Sequence, residues 1–79
     1  MGDRSEEAAE LVEFIAKAIV TQPEDVKVTS CEGGRVLELE TDGSDRGRVI
    51  GRQGRVAKAM RAILVSSSSG ADSRLEIVD

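Results

Sequence analysis

Between Glu6 and Thr21 the apolar residues Ala8, Leu11, Val12, Ile15, Ala18 and Ile19 recur at three- and four-residue spacing. That period predicts an amphipathic helix over residues 6–21, with these six on its inner face. Glu6, Glu7, Glu10 and Glu13 load its first half, where the helix dipole favours negative charge. Pro23 stops the helix or starts the turn that follows. The period then changes to two. Val26 and Val28 alternate with Lys27 and Thr29 over residues 26–31, and Leu37 and Leu39 alternate with Glu38 and Glu40 over residues 35–41. Glu32-Gly33-Gly34 between them is turn chemistry, so the two runs predict a β-hairpin. Asp42-Gly43-Ser44-Asp45 reads as a loop, with Ser44 or Asp45 capping a short helical turn over about 45–50. From Arg55 to Ser67 the helical period returns, with Val56, Ala59, Met60, Ile63 and Leu64 as the buried stripe. Ser66 to Ala71 reads as a loop, because serine competes for backbone hydrogen bonds. A last strand over residues 73–78 points Leu75 and Ile77 inward and Glu76 outward. Residues 1–5 read as a frayed end.

The order helix, strand, strand, short helix, helix, strand predicts an α+β sandwich in two layers. The hairpin strands pair antiparallel. The crossover through two helices makes the last strand parallel to the second, giving a three-stranded mixed sheet with three helices on one face. A chain of 79 residues reads as one domain over 1–79, with a small core.

Composition removes several function classes. Phe14 is the only aromatic residue, which counts against recognition of bases by aromatic stacking platforms. There is one cysteine, Cys31, and no histidine. An intrachain disulfide and a His/Cys metal cluster are therefore out of reach, and Cys31 has no imidazole to activate it. It reads as a half-buried filler near a strand end. No paired-carboxylate pocket or P-loop pattern appears, so no enzyme, metal or cofactor is expected. There is no membrane-spanning run and no signal-peptide core, and a cytoplasmic, reducing location is the default.

Gly51-Arg52-Gln53-Gly54 ends the apolar pair Val49-Ile50 and opens the helix that starts at Arg55. Glycine lets a phosphate backbone approach closely, and the first amides of a helix are unsatisfied donors in a positive dipole field. A phosphate-sized anion is the natural guest. The flanks agree. Arg46, Arg48, Arg52, Arg55, Lys58 and Arg61 lie in a window without an acid; it carries +6, against −10 on the other residues and −4 in total. With a screening length of about 8 Å, the local field steers a ligand rather than the total charge. Gly51 and Gly54 would let a sugar–phosphate strand run against the turn. Arg52 would reach phosphate, and Gln53 phosphate or sugar. Arg48, Arg55, Lys58 and Arg61 would add phosphate contacts, which position a strand without reading its sequence. Val49 and Ile50 would form an apolar floor for bases, a core, or both. With no aromatics, bases would hydrogen-bond to a backbone edge, chiefly on the strand from Val36 to Glu40.

This element order, with Val49-Ile50-Gly51-Arg52-Gln53-Gly54-Arg55 at the helix junction, resembles a KH domain of the second topological type. The longer string from Arg46 to Arg61, the opening helix over 11–20, the Gln22–Val26 turn and the ending Leu75–Asp79 are similar to the small bacterial single-domain KH RNA-binding proteins of the KhpA type. The resemblance implies single-stranded RNA binding in a groove between the glycine turn and the sheet edge, and a role as a general RNA chaperone or post-transcriptional regulator. It also implies self-association and pairing with a larger KH-containing protein linked to cell elongation and division. Two departures stand out. Arg46 occupies a place where relatives often carry an apolar residue, so the short helix is expected to be less buried or more basic. Ser66–Ser69 replaces a more alanine-rich segment, so the third helix is expected to end early. Two functions follow. One is a non-enzymatic single-stranded RNA-binding module. The alternative is a protein-interaction or dimerisation module, a subunit of a KH-protein complex in cell-shape or division control.

Overall fold

The computed structural model describes residues 4–67 and 73–78. The first helix, α1, spans Arg4–Ile19, so Arg4 and Ser5 are helical rather than frayed. Met1–Asp3, Asp79 and residues 68–72, which hold most of the loop expected over Ser66–Ala71, lie outside the described residues. Ala8, Val12 and Ala16 form the fully buried line of α1. Leu11 and Ile15 flank it half-buried, whereas Ala18 and Ile19 are exposed.

The hairpin forms as expected. Strand β1, Lys27–Cys31, pairs antiparallel with β2, Val36–Glu40, with Lys27 opposite Glu40 and Cys31 opposite Val36. A short helix α2, Arg46–Ile50, and a longer one, α3, Arg55–Ser66, lead to strand β3, Arg74–Ile77. β3 runs parallel to β2, with Leu37 opposite Leu75, and the strand order is β1-β2-β3. The sheet is therefore mixed, and β2 is its middle strand. Both of its backbone edges are committed to ladders. The expectation that bases bond along Val36–Glu40 is corrected on that ground: β2 has no edge to offer.

Leu37, Leu39, Leu75, Val49, Met60, Leu64 and Val12 meet in the core, each fully buried aliphatic side chain contributing about 1.5–3 kcal/mol. The inner line of α3 is Ala57, Met60 and Leu64, with Val56 half-buried beside it. The predicted stripe is thus rotated: Ala59 and Ile63 are exposed. This rotation brings Val56 under Gly51 and Arg61 over the margin of β3. α3 ends at Ser66, and Ser67 is already extended.

Candidate nucleic-acid interface

Only one residue of the five-residue helix α2 is buried, Val49, so its placement needs help from elsewhere. Asp45 supplies it. The sequence marks Asp45 as an N-cap, but its side chain makes no cap bond to α2. The carboxylate turns instead toward the end of α1. Oδ1 accepts from the Thr21 amide at 3.0 Å and the Thr21 hydroxyl at 2.8 Å, and Oδ2 accepts from the Gln22 amide at 3.0 Å. Asp45 is the one charged residue buried among the described residues. Burial alone pushes its carboxyl up. The bonds from Thr21 and Gln22, with the Arg48 guanidinium, outweigh burial and hold it below its ordinary value. The other cap candidate, Ser44, is itself held by Asp42, whose side chain accepts from the Ser44 amide and hydroxyl.

The turn after α2 is built from unusual backbone. The Gly51 amide donates to Gly47 at 2.8 Å, and Gly51 then adopts φ 78°, ψ 170°. A Cβ there would lie 2.5 Å from Val56 Cγ2 and 2.8 Å from the Val56 amide nitrogen. Gly51 thus seats the loop directly on the first turn of α3. Gln53 (φ 58°) and Gly54 (φ 73°) are both left-handed, although a Cβ on Gly54 would meet nothing within 4 Å. Gly54 donates to Gly51 at 3.1 Å and closes the turn. A turn and a helix offer no internal acceptor to their leading amides. Here those are Arg52 and Gln53 for the turn, and Val56 and Ala57 for α3. Arg52 and Gln53 themselves are exposed.

The six cations of the window are not equivalent. Arg48 Nε lies 3.5 Å from Asp45 Oδ1, so part of its charge is answered. Arg46 is half-buried. Arg61 donates Nε to the Leu75 carbonyl at 3.2 Å. Arg52, Arg55 and Lys58 are exposed and form no ion pair among the described residues. They cluster at the glycine turn and the first turn of α3. Val49 has no exposed surface and takes the core role, so it cannot touch a ligand; Ile50 beside it is 37% exposed. No group of three or more His, Cys, Asp or Glu that could hold a metal occurs among the described residues, and no described helix is long and apolar enough to cross a membrane.

β3 provides the free margin that β2 lacks. Arg74 and Val78 send their amides to Arg35 and Leu39 of the β2 side, at 2.7 and 3.0 Å. Alternation along the strand then turns the amides and carbonyls of Leu75 and Ile77 outward. Sequence reasoning missed both the Asp45 tie and the role of β3 as the margin. The first leaves no local trace, because Thr21 is remote in sequence. The second was implicit in the parallel crossover.

A helix–strand–strand–helix–helix–strand order, a mixed sheet whose last two strands are parallel, and a glycine-bounded turn between the last two helices define a type II KH domain. Comparison with known families agrees: the KH domain model of KhpA/KhpB matches residues 9–78. The chain is 42% identical over 74 residues to the RNA-binding protein KhpA of Treponema pallidum, covering 89% of this chain and 92% of that one. It is 48% identical over 61 residues to RNA-binding protein KhpA of Clostridium perfringens (75% and 81% covered) and 44% identical over 59 residues to that of Aquifex aeolicus (72% and 75%). The chain belongs to the KhpA family of KH-domain proteins. No solved structure matches it.

Proposed function

We propose that the chain is a non-enzymatic single-stranded RNA-binding module serving as an RNA chaperone or post-transcriptional regulator. One observation carries the reading. In a protein that is acidic overall, Arg52, Arg55 and Lys58 have no ion-pair partner among the described residues, and they surround a glycine turn whose leading amides have no internal acceptor. The strand's phosphates run over Gly51–Gly54 and meet Arg52, Arg55 and Lys58, with Gln53 on phosphate or sugar and Arg48 as a weaker contact. Bases rest on Ile50 and lie along the free margin of β3. The names of the relatives support the ligand class. Such a site gives modest, salt-sensitive affinity and loose sequence choice. A soluble protein of the cytoplasm meets these ligands.

The test is the double variant Arg52→Asp, Gln53→Asp in polarisation titrations with a labelled single-stranded RNA. Loss of binding with an unchanged melting temperature is expected. Unchanged affinity defeats the assignment.

A second reading is favoured by exposed apolar side chains away from the turn: Phe14 is 75%, Val65 64% and Ile63 45% exposed. They suit a contact with another copy or with a larger KH-containing protein, as a subunit of a complex in cell-shape or division control. Light scattering across concentration, with and without RNA, separates the two. A stable dimer without RNA affinity favours the second.

A further inference from the structure

We infer that Arg61 reads bases, and guanine in particular, rather than holding phosphate; the inference rests on the RNA-binding reading above. Three observations place it. Arg61 lies roughly 9 Å along α3 beyond Arg55, by the helix rise of about 1.5 Å per residue, away from the turn that takes the phosphates. Its Nε donates to the carbonyl of Leu75 at 3.2 Å. That carbonyl faces the outer margin of β3, because Arg74 and Val78 on either side bond inward to β2. The guanidinium is therefore anchored by one nitrogen on the strand margin where bases lie. Its terminal amino groups are engaged by no carboxylate among the described residues.

The donor set decides the guest. Guanidinium is planar, so holding Nε on the Leu75 carbonyl keeps its remaining donors in one flat fork turned toward the margin. The outward amides of Leu75 and Ile77 add donors on the same margin, and the Ile77 carbonyl adds one acceptor. A margin dominated by donors selects a base edge with two adjacent acceptors. Guanine presents O6 and N7 side by side, and arginine pairs with them through two bonds. In single-stranded RNA this edge is open to a protein. A lysine in place of Arg61 would keep the charge but lose the flat two-pronged geometry.

The experiment compares labelled uridine 12-mers with and without a single central guanosine, titrated by polarisation over a salt series. The wild-type protein, Arg61→Lys, Arg61→Ala and Arg52→Ala are tested, each with its melting temperature recorded. The wild type is expected to prefer the guanosine oligonucleotide by on the order of tenfold. Arg61→Lys and Arg61→Ala remove that preference and leave the slope of log affinity against log salt unchanged. Arg52→Ala keeps the preference and lowers the slope by about one. Binding by the wild type with no guanosine preference overturns the inference and spares the RNA reading. So does a preference that survives in Arg61→Lys, or a salt slope that falls by about one in Arg61→Ala. A wild type that binds neither oligonucleotide defeats both.

Discussion

Asp45 and Thr21, twenty-four residues apart, are joined by two hydrogen bonds to a single carboxylate oxygen, one from the Thr21 amide and one from its hydroxyl. With the Gln22 amide on the other oxygen, they fasten the start of α2 to the end of α1. The short helix that delivers the glycine turn is thus held by a buried charge as well as by its one core side chain, Val49.

Replacing Asp45 with asparagine should therefore loosen the fold. The amide keeps one acceptor for Thr21 but presents N–H donors toward Gln22, which is itself a donor. A melting temperature lower by about 5–10 °C is expected in calorimetry, the range of a single lost buried interaction in a domain of this size.

Acid should act through the same group. The folded carboxyl sits below its ordinary value, so its contribution is complete above the unfolded value near pH 4 and is lost as pH falls through the lower folded value. Chemical denaturation between about pH 5 and pH 2 should show stability declining on that limb. In Asp45→Asn the decline should be visibly shallower; an identical decline in both proteins would remove Asp45 from the account.

The two glycines of the turn should not respond alike to alanine. Gly54 has open space around it, so Gly54→Ala costs only the left-handed backbone, about 1–2 kcal/mol. Gly51 occupies a region of backbone space open essentially to glycine alone, and its Cβ would strike the Val56 backbone. Gly51→Ala should be clearly the more damaging in urea denaturation. Equal losses would mean that the close seat of the loop on α3 is not needed.

RNA binding should rank the arginines by what already engages them. Arg52→Ala should weaken binding more than Arg48→Ala, because Arg48 is shared with Asp45. Titrations at low salt should make the difference largest. A larger loss from Arg48→Ala would place the phosphates on α2 instead of on the turn.

Cys31 should be a slow nucleophile. Burial pushes its thiol above the ordinary value, and Glu38, whose carboxylate lies 3.5 Å from the sulfur, pushes it further. Alkylation by iodoacetamide at pH 8 should be several-fold slower than for an unhindered cysteine peptide, since the thiolate is the reactive form. Glu38→Gln should speed it.

The sequence and the structure agree where local pattern decides and part where packing at a distance decides. Both helical periods and both alternating runs are legible, because each rests on residues a few positions apart; the parallel return of β3 is legible from the connection that precedes it. The face of α3 is not. Ala57–Met60–Leu64 and Met60–Ile63–Leu64 fit the same helical period, and only the seat of Gly51 on Val56 and the reach of Arg61 to Leu75 choose between them. Asp45 looks like a cap because acids often are caps; its true partners lie across the fold. The glycine turn and its cations were legible as a cluster, whereas their unequal pairing depends on side-chain geometry that no spacing rule contains.

The parallel return of β3 has a consequence for how the sheet closes. Its ladder joins Val36 to Arg74 and Leu39 to Ile77 across the whole of α2, the glycine turn and α3. A contact of that span closes a long loop, whose entropy is lost before the pairing returns anything. The hairpin of β1 and β2 closes through a short turn, so the outer margin is the costlier of the two pairings to form.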